Sequence, residues 1–525
     1  MRSDKEDNME EQQKSERTAR ALKELQASLG DENVSGNLAV RSAYRGINYN
    51  VLSPWRTPPS LVIRPKTVEH VQEVVRVANQ ERLTLLPICS GTIAPHWGAD
   101  AVVDMMGMDK IIKIDTENLY VVLEPGVTFN RLNPLLRKKG YTIAHGSLPS
   151  SFSVMGNLAV RRGFNHNFAG RFADQTLGFE LVLPDGTLLR TGTATFDIDF
   201  WFPLSQDMPD LRGLFVATLQ RTPLLGIITK AAVKIWPLME ASALPIGGFD
   251  SCAKAFKFTQ AVVRSGIADQ SMVWNWVLVG MSQTRKAGGH DDIDFLNHRM
   301  TSDYTHPPKG FHYCYTWTQF RGYKEQVEVN LKLCERIAKE IGGKILSQSE
   351  IEDTIPHIYN TWKLCYKEFC HEKTDLAHAW KVGGEGVMDV WYYLGQVDEL
   401  IKLEEAYNRR LKEKYHILNA PYYCRIFDQG MAGHLRYMPP ADCADEFQIQ
   451  KTMRIRRDMH NWALKNYPNV HCFGADRAVG NHSIGMGKII GKIREALDPN
   501  HIMYMPGEDR LEPEEELGSG AGTTD

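Results

Sequence analysis

Residues 61–86, LVIRPKTVEHVQEVVRVANQERLTLL, constrain the fold of this chain more than any other stretch. A short apolar run leads into a segment with Val68, Val71, Val74, Val75 and Ala78 on one helical face, and Thr67 is placed to cap it. A second apolar run follows. The resulting β-α-β rhythm commits the region to helices layered on a sheet. The turn-rich loop PICSGTIAPHWGAD (87–100) comes next, and AVVDMMGMDKIIKID and LYVVLEPGVT then read as successive strands. Thr128 is placed to cap a helix with Leu132, Leu135 and Leu136 inward, closed by Gly140. In FELVLPDGTLLRTG (179–192), Asp185-Gly186 between apolar runs signals a tight hairpin. LLGIITKAAVKIWP (224–237) reads as another β pair.

From about residue 245 the texture changes. SMVWNWVLVGM (271–281), HYCYTWTQF (312–320) and DVWYYLGQV (389–397) are rich in aromatics and Met, and amphipathic helices at 324–341 and 398–414 alternate with them. This pattern predicts a second, α+β domain with an antiparallel sheet. A basic helix is then stopped by Asp498-Pro499-Asn500, and the acidic, then Gly/Ser/Thr-rich tail is expected to be disordered. The expected division is an N-terminal extension (1–50), a first domain (51–245), a second domain (246–465), a return to the first (466–507) and the tail (508–525).

Size and charge narrow the function. A chain of 525 residues suits two or three domains, and its net charge of −3 offers no cationic field for nucleic acid. No apolar run approaches the roughly 20 residues of a membrane span. The opening MRSDKEDNMEEQQKSER lacks the apolar core of a secretory signal and reads as a frayed or helical extension. Nine scattered cysteines without a CxxC pair point to reduced thiols and a cytoplasmic location, and away from structural zinc.

Among glycine-bearing loops, GMGKIIG (485–491) has one residue too many between its later glycines for a dinucleotide fingerprint, and no GxxxxGK[ST] is present. The order of several loops is more informative. CSGT (89–92), EPGVT (124–128), SVMGN (153–157), LPDGTLLRTG (183–192) and LGIITKA (225–231) follow one another within about 140 residues. In that order they resemble the FAD-binding domain of the vanillyl-alcohol oxidase and para-cresol methylhydroxylase flavoprotein family. The likeness covers residues 58–238 and is joined by LDPNHIMYMPG (497–507), which is similar to that family's closing segment.

The resemblance implies a two-subdomain FAD-binding domain with an α+β cap domain built on a large antiparallel sheet. It implies FAD as cofactor, cradled by small residues whose backbone N–H groups can approach a pyrophosphate. Cys89, Ser90, Gly91 and Thr92 would form one cradle. Ser147, Leu148, Ser153, Gly156 and Asn157 would form a second, and Gly226, Ile227 and Ile228 would offer main-chain groups. The sequence departs from the family pattern at two places. Ile88-Cys89-Ser90-Gly91 stands where an arginine and three glycines are usual, and VATLQRTPL (216–224) replaces a Gly-Ser-Glu-Gly-Thr loop. His96 lies beyond the usual linking position and GVMDVWYY (386–393) has no histidine, so non-covalent FAD is expected.

Flavin chemistry of this type is hydride transfer from a substrate carbon, with the protein orienting substrate and managing a proton. Phenol-oxidising members keep an aspartate at the position of Leu148, and a Tyr-Arg pair of which only Arg477 is evident here. GNHSIGMGK (480–488) is similar to a segment of the family's 2-hydroxyacid dehydrogenases, making His482 either a base near the flavin or a structural histidine. FDQGMAGHLRY (427–437) carries His434 but lacks their metal-binding pattern, so no metal is expected. Trp274, Trp276, Trp317, Trp380, Trp391, Tyr392 and Tyr393 either fill the cap core or wall an apolar pocket for an aromatic ring. The leading expectation is an FAD-dependent oxidoreductase acting on a benzylic or allylic alcohol or a para-substituted phenol. Oxygen or an electron carrier would be the acceptor, and a homodimer the analogous assembly. Its rivals are an FAD-dependent 2-hydroxyacid dehydrogenase and a non-catalytic flavin binder.

Overall fold

The computed structural model describes residues 4–44, 58–91, 98–144, 151–159, 170, 172–203, 210–215, 225–283, 306–363, 388–392, 397–437, 446–467 and 486–504. The N-terminal stretch forms helix α1 (Asp4–Leu29), and its Ala21, Leu25 and Leu29 are buried against the first domain. It belongs to that core, and Arg20 holds the buried Glu81 at 2.8 Å across the contact.

The β-α-β rhythm becomes β1 (Leu61–Ile63), α2 (Val68–Glu81) and β2 (Leu85–Ile88), with β3 (Ala101–Asp104) between the two strands and parallel to both. Thr67 caps α2 by accepting from the His70 N–H, and Val71, Val74, Val75 and Ala78 are buried. Val34–Ser35 extends this sheet antiparallel to β1.

A second sheet is antiparallel throughout. It contains β4 (Ile111–Asp115), β5 (Tyr120–Leu123), β6 (Thr176–Val182), β7 (Leu188–Arg190) and β8 (Ile227–Lys234), in the order β4-β5-β8-β6-β7. The hairpin at Asp185-Gly186 is present, with Gly186 at φ 87° and Asp185 accepting from the Thr187 N–H. The segment 224–237 is not a strand pair. Most of it is the single strand β8, taken between β5 and β6, and Trp236–Pro237 pairs with Tyr141–Thr142 instead. Helix α3 (Phe129–Lys138) follows Thr128, whose side chain makes no capping bond. Leu132 and Leu136 are buried, but Leu135 is exposed because a helical turn of 3.6 residues cannot turn adjacent positions 135 and 136 equally inward.

The third sheet has eight strands, all antiparallel. In chain order they are β9 (Ala241–Ala243), β10 (Ile246–Phe249), β11 (Gln270–Asn275), β12 (Cys314–Gly322), β13 (Lys344–Ile345), β14 (Met388–Tyr392), β15 (Tyr422–Phe427) and β16 (Ala432–Tyr437). They pair as β13-β10-β12-β11-β15-β16-β14, with β9 on β12. SMVWNWVLVGM changes from β11 to helix at Trp276, because the Asn275 side chain accepts from the Leu278 N–H and caps residues Trp276–Gln283.

Strand alternation gives the sheet two different faces. Val273, Cys314, Phe320, Tyr422, Cys424, Leu435 and Tyr437 pack under the helices Cys252–Arg264, Lys324–Glu340, Val397–Tyr415 and Glu446–Asn466. Met272, Trp274, Tyr315, Trp317 and Tyr423 line the other face with Ile351, Ile358 and Trp362 from two short helices. Trp274, Trp276, Trp317 and Trp362 are all buried. Trp391 and Tyr392 lie on β14, and Trp380 and Tyr393 fall outside the described residues.

The chain then returns to the first domain. Helix Met486–Leu497 lays Ile490, Ile493 and Leu497 against the core under the second sheet. Asp498, fully buried, accepts from the N–H groups of Ile502 and Met503 at 2.9 Å each. The turn thus made sets 502–504 beside β2, where Leu85 N–H donates to Ile502 and Tyr504 N–H donates to Leu85.

Candidate flavin cradle

The first cradle loop leaves the C-terminal end of β2, where open α/β sheets place their ligands. Gly91 adopts φ 66°, a left-handed conformation that suits glycine and turns the loop away from the strand. Thr92 and His96 fall outside the described residues.

The second loop is held to the first by side chains. The Ser153 N–H donates to Ser90 Oγ at 3.2 Å. The Ser153 hydroxyl, completely buried, donates to the Pro125 carbonyl at 2.6 Å and accepts from the Gly156 N–H at 3.0 Å. Ser153 therefore caps the short helix α4 (Val154–Ala159) and fixes it to the EPGVT turn. That turn is itself locked: a β-carbon on Gly126 would meet the Met106 carbonyl at 2.5 Å, and the Val154 N–H donates to Val127.

A β-carbon at Gly156 would stand 3.4 Å from the Cys89 β-carbon. The two loops thus meet closely at Cys89, Ser90, Ser153 and Gly156, four of the residues expected at the cofactor. Burial pushes the Cys89 thiol up to about 11, so it stays neutral at physiological pH despite the Ser153 hydroxyl beside it. A neutral, small, half-buried wall of this kind suits a large anionic cofactor, which a thiolate would repel.

Gly226, Ile227 and Ile228 are placed differently. A β-carbon on Gly226 would meet the Val182 carbonyl at 2.7 Å, so this glycine is required by the β6–β8 contact. Ile227 and Ile228 turn their side chains into core, and Ile228 shares a cluster with Phe152, Val154 and Met155 beneath the second loop. Ser147, Leu148, Arg477 and His482 lie outside the described residues, as does the side chain of Asn157. The Pro125 carbonyl as anchor was not legible in sequence, since any residue can supply a carbonyl. No group of three or more His, Cys, Asp or Glu side chains among the described residues is arranged to hold a metal.

The residues fit FAD, and comparison with known proteins agrees. The family model described as FAD binding domain matches residues 59–192. The 4-cresol dehydrogenase (hydroxylating) flavoprotein subunit of Pseudomonas putida is 26% identical over 364 residues, 65% of this chain and 67% of that one. A probable mitochondrial D-lactate dehydrogenase of Danio rerio is 25% identical over 347 residues, 64% of this chain and 62% of that one. These matches span two thirds or less of each relative's length. Among solved structures, 4-ethylphenol oxidase from Gulosibacter chungangensis superposes with a TM-score of 0.77 at 19% identity, covering 93% of this chain and 96% of that one. p-Cresol methylhydroxylase superposes at 0.73 and 22%, with the same coverage. At such identities these superpositions establish the fold. No helix among the described residues is long and apolar enough to cross a membrane.

Proposed function

We propose that the chain is an FAD-dependent oxidoreductase of the vanillyl-alcohol oxidase and para-cresol methylhydroxylase type, and that it oxidises a benzylic or allylic alcohol or a para-substituted phenol. The observation that carries the reading is the junction of the two loops, where Ser90 and Ser153 are bonded and Gly156 leaves no side chain against Cys89. In the proposed division, residues 51–245 and 466–507 hold the cofactor and 246–465 cover the substrate.

FAD, once bound, supplies the hydride acceptor. The chain's own residues do the rest. Cys89, Ser90, Gly91, Thr92, Ser147, Leu148, Ser153, Gly156 and Asn157 hold the cofactor through backbone donors and small side chains. Gly226, Ile227 and Ile228 support that ledge from below. Arg477 would orient the substrate oxygen, and His482 would take or position its proton. A 2-hydroxyacid substrate is the second reading, favoured by His482 in GNHSIG and by the D-lactate dehydrogenase relative.

The test is anaerobic bleaching of the flavin by a substrate panel. Aryl alcohols are expected to bleach it, and bleaching by lactate alone would favour the second reading. FAD is proposed to be non-covalent, so acid precipitation should leave the yellow colour in the supernatant. Colour in the pellet would refute that point.

A further inference from the structure

The helix-covered face of the third sheet holds two thiols in contact. Cys314 opens β12, and Phe249 at the end of β10 is its register partner. The chain turns back just after Phe249, where the Ser251 side chain accepts from the Lys254 N–H and starts the helix Cys252–Arg264. Cys252 thereby comes to lie over Cys314, with 3.1 Å between the two sulfurs. The Tyr422 hydroxyl touches both, in direct contact with Cys252 and 3.9 Å from the Cys314 sulfur. Both cysteines are free. Bonded sulfurs stand about 2.05 Å apart, so a motion of about 1 Å joins the pair.

The other thiol of this sheet does not compete. Cys424 lies on β15, opposite Val273, whereas Cys314 lies opposite Asn275, and β11 runs between the two strands. Two strand spacings are about 9.5 Å, beyond the roughly 7 Å that a disulfide allows between α-carbons. Nor does a metal claim the pair, because no group of three or more His, Cys, Asp or Glu side chains is arranged to hold one among the described residues.

The two thiols differ in access. Cys314 is fully buried on a strand paired along both edges, by β10 and β11. Cys252 is 4% exposed in the first turn of its helix, two residues from the exposed Asp250. A first turn lacks intrahelical partners for its N–H groups and opens at less cost than a central strand. Burial also pushes the Cys252 thiol up, so it stays neutral and slow to react until that turn opens. Only a small, uncharged oxidant suits so narrow an approach.

We propose that Cys252 and Cys314 form a reversible dithiol–disulfide site oxidised by a small peroxide, with Cys252 attacked first and Cys314 resolving it. In the first step the Cys252 sulfur bonds to one peroxide oxygen as the O–O bond breaks. The thiol proton leaves with the other oxygen as water, and a sulfenic acid remains. In the second step the Cys314 sulfur bonds to the Cys252 sulfur as the S–O bond breaks, and the Cys314 proton leaves with that oxygen as a second water. Two thiols give up two electrons, and one peroxide becomes two waters. The new bond ties the first turn of the helix to β12 and closes a sequence span of 62 residues. This site stands whether or not the oxidoreductase reading does.

The experiment treats the full chain with hydrogen peroxide, alkylates it under denaturing conditions and maps its peptides by mass. A peptide pair joining Cys252 to Cys314, lighter by two hydrogens, is expected, and dithiothreitol should return both free thiols. Cys314→Ser should leave Cys252 as a sulfenic acid that dimedone traps. Cys252→Ser should abolish the linked pair and slow oxidation of Cys314 at least about 10-fold. Glutathione disulfide, bulky and charged, should form the link at least about 10-fold more slowly than peroxide at equal concentration. The link is read on the parent chain, so it needs no variant that folds. Both thiols remaining free under peroxide overturns the proposal, as does a link from either cysteine to Cys334 or Cys424 instead. Unslowed oxidation of Cys314 in Cys252→Ser overturns the order of attack, and glutathione disulfide acting as fast as peroxide overturns the oxidant.

Discussion

Two glycines separate the proposed cofactor surface from a packing requirement. At Gly156 an added β-carbon would make ordinary contact with Cys89 at 3.4 Å, and alanine is the better helix former by about 1 kcal/mol. Gly156→Ala is therefore expected to leave the melting temperature nearly unchanged while lowering retained flavin, read as the ratio of absorbance at 450 to 280 nm. At Gly226 the β-carbon would collide with a backbone carbonyl at 2.7 Å, and Gly226→Ala should cost about 1–3 kcal/mol in stability. The buried carboxyl of Glu404 makes a third residue-scale case. Burial pushes it up, against the hydroxyl of Tyr422 and the thiol of Cys252 that favour its ionised form. The folded state thus holds a proton that the unfolded chain releases near the ordinary carboxylate range. Stability from this group is full below that range and falls as pH rises through it. Glu404→Gln should flatten the decline in melting temperature as pH rises above the ordinary carboxylate range, and an unchanged slope would refute the assignment.

At the scale of elements, the LDPN turn is the sharpest target. Asp498 satisfies two backbone donors with one buried carboxylate, and Asp498→Ala leaves both unmet. A loss of about 3 kcal/mol is expected in thermal unfolding, with Asp498→Asn losing less. Elements whose signals are local were legible in the sequence. Thr67 with its valine stripe and the Asp185-Gly186 turn carry their own geometry. Elements decided by distant partners were not. The run 224–237 forms one strand because β5 and β6 take both its edges, which no local pattern contains. Asn275 turns an aromatic strand into a helix through a single side-chain bond, within a stretch whose composition suits either state. The junction of the two loops at Cys89, Ser90, Ser153 and Gly156 was legible as small residues in a fixed order. The cross-strand pairing of Tyr423 with Arg436 and of Arg425 with His434 was not, because it exists only in the register of β15 against β16.

The whole molecule is two assemblies with different demands on the chain. The eight-stranded sheet is built within residues 241–437, whereas the sheet that bears the first cradle loop draws on both ends of the sequence. A chain cut after Leu497 would lose Ile502 and Met503 from the core that also contains Leu61, Ile63 and Leu85. Loss of soluble flavin-bearing protein is expected, and recovery of normal colour in that truncated chain would contradict it. The pairing of Leu85 with Met503 has a further consequence in time. During synthesis the strand Leu85–Ile88 leaves the ribosome early and finds β3 soon after, but its other side must wait for more than four hundred residues until Met503 is made.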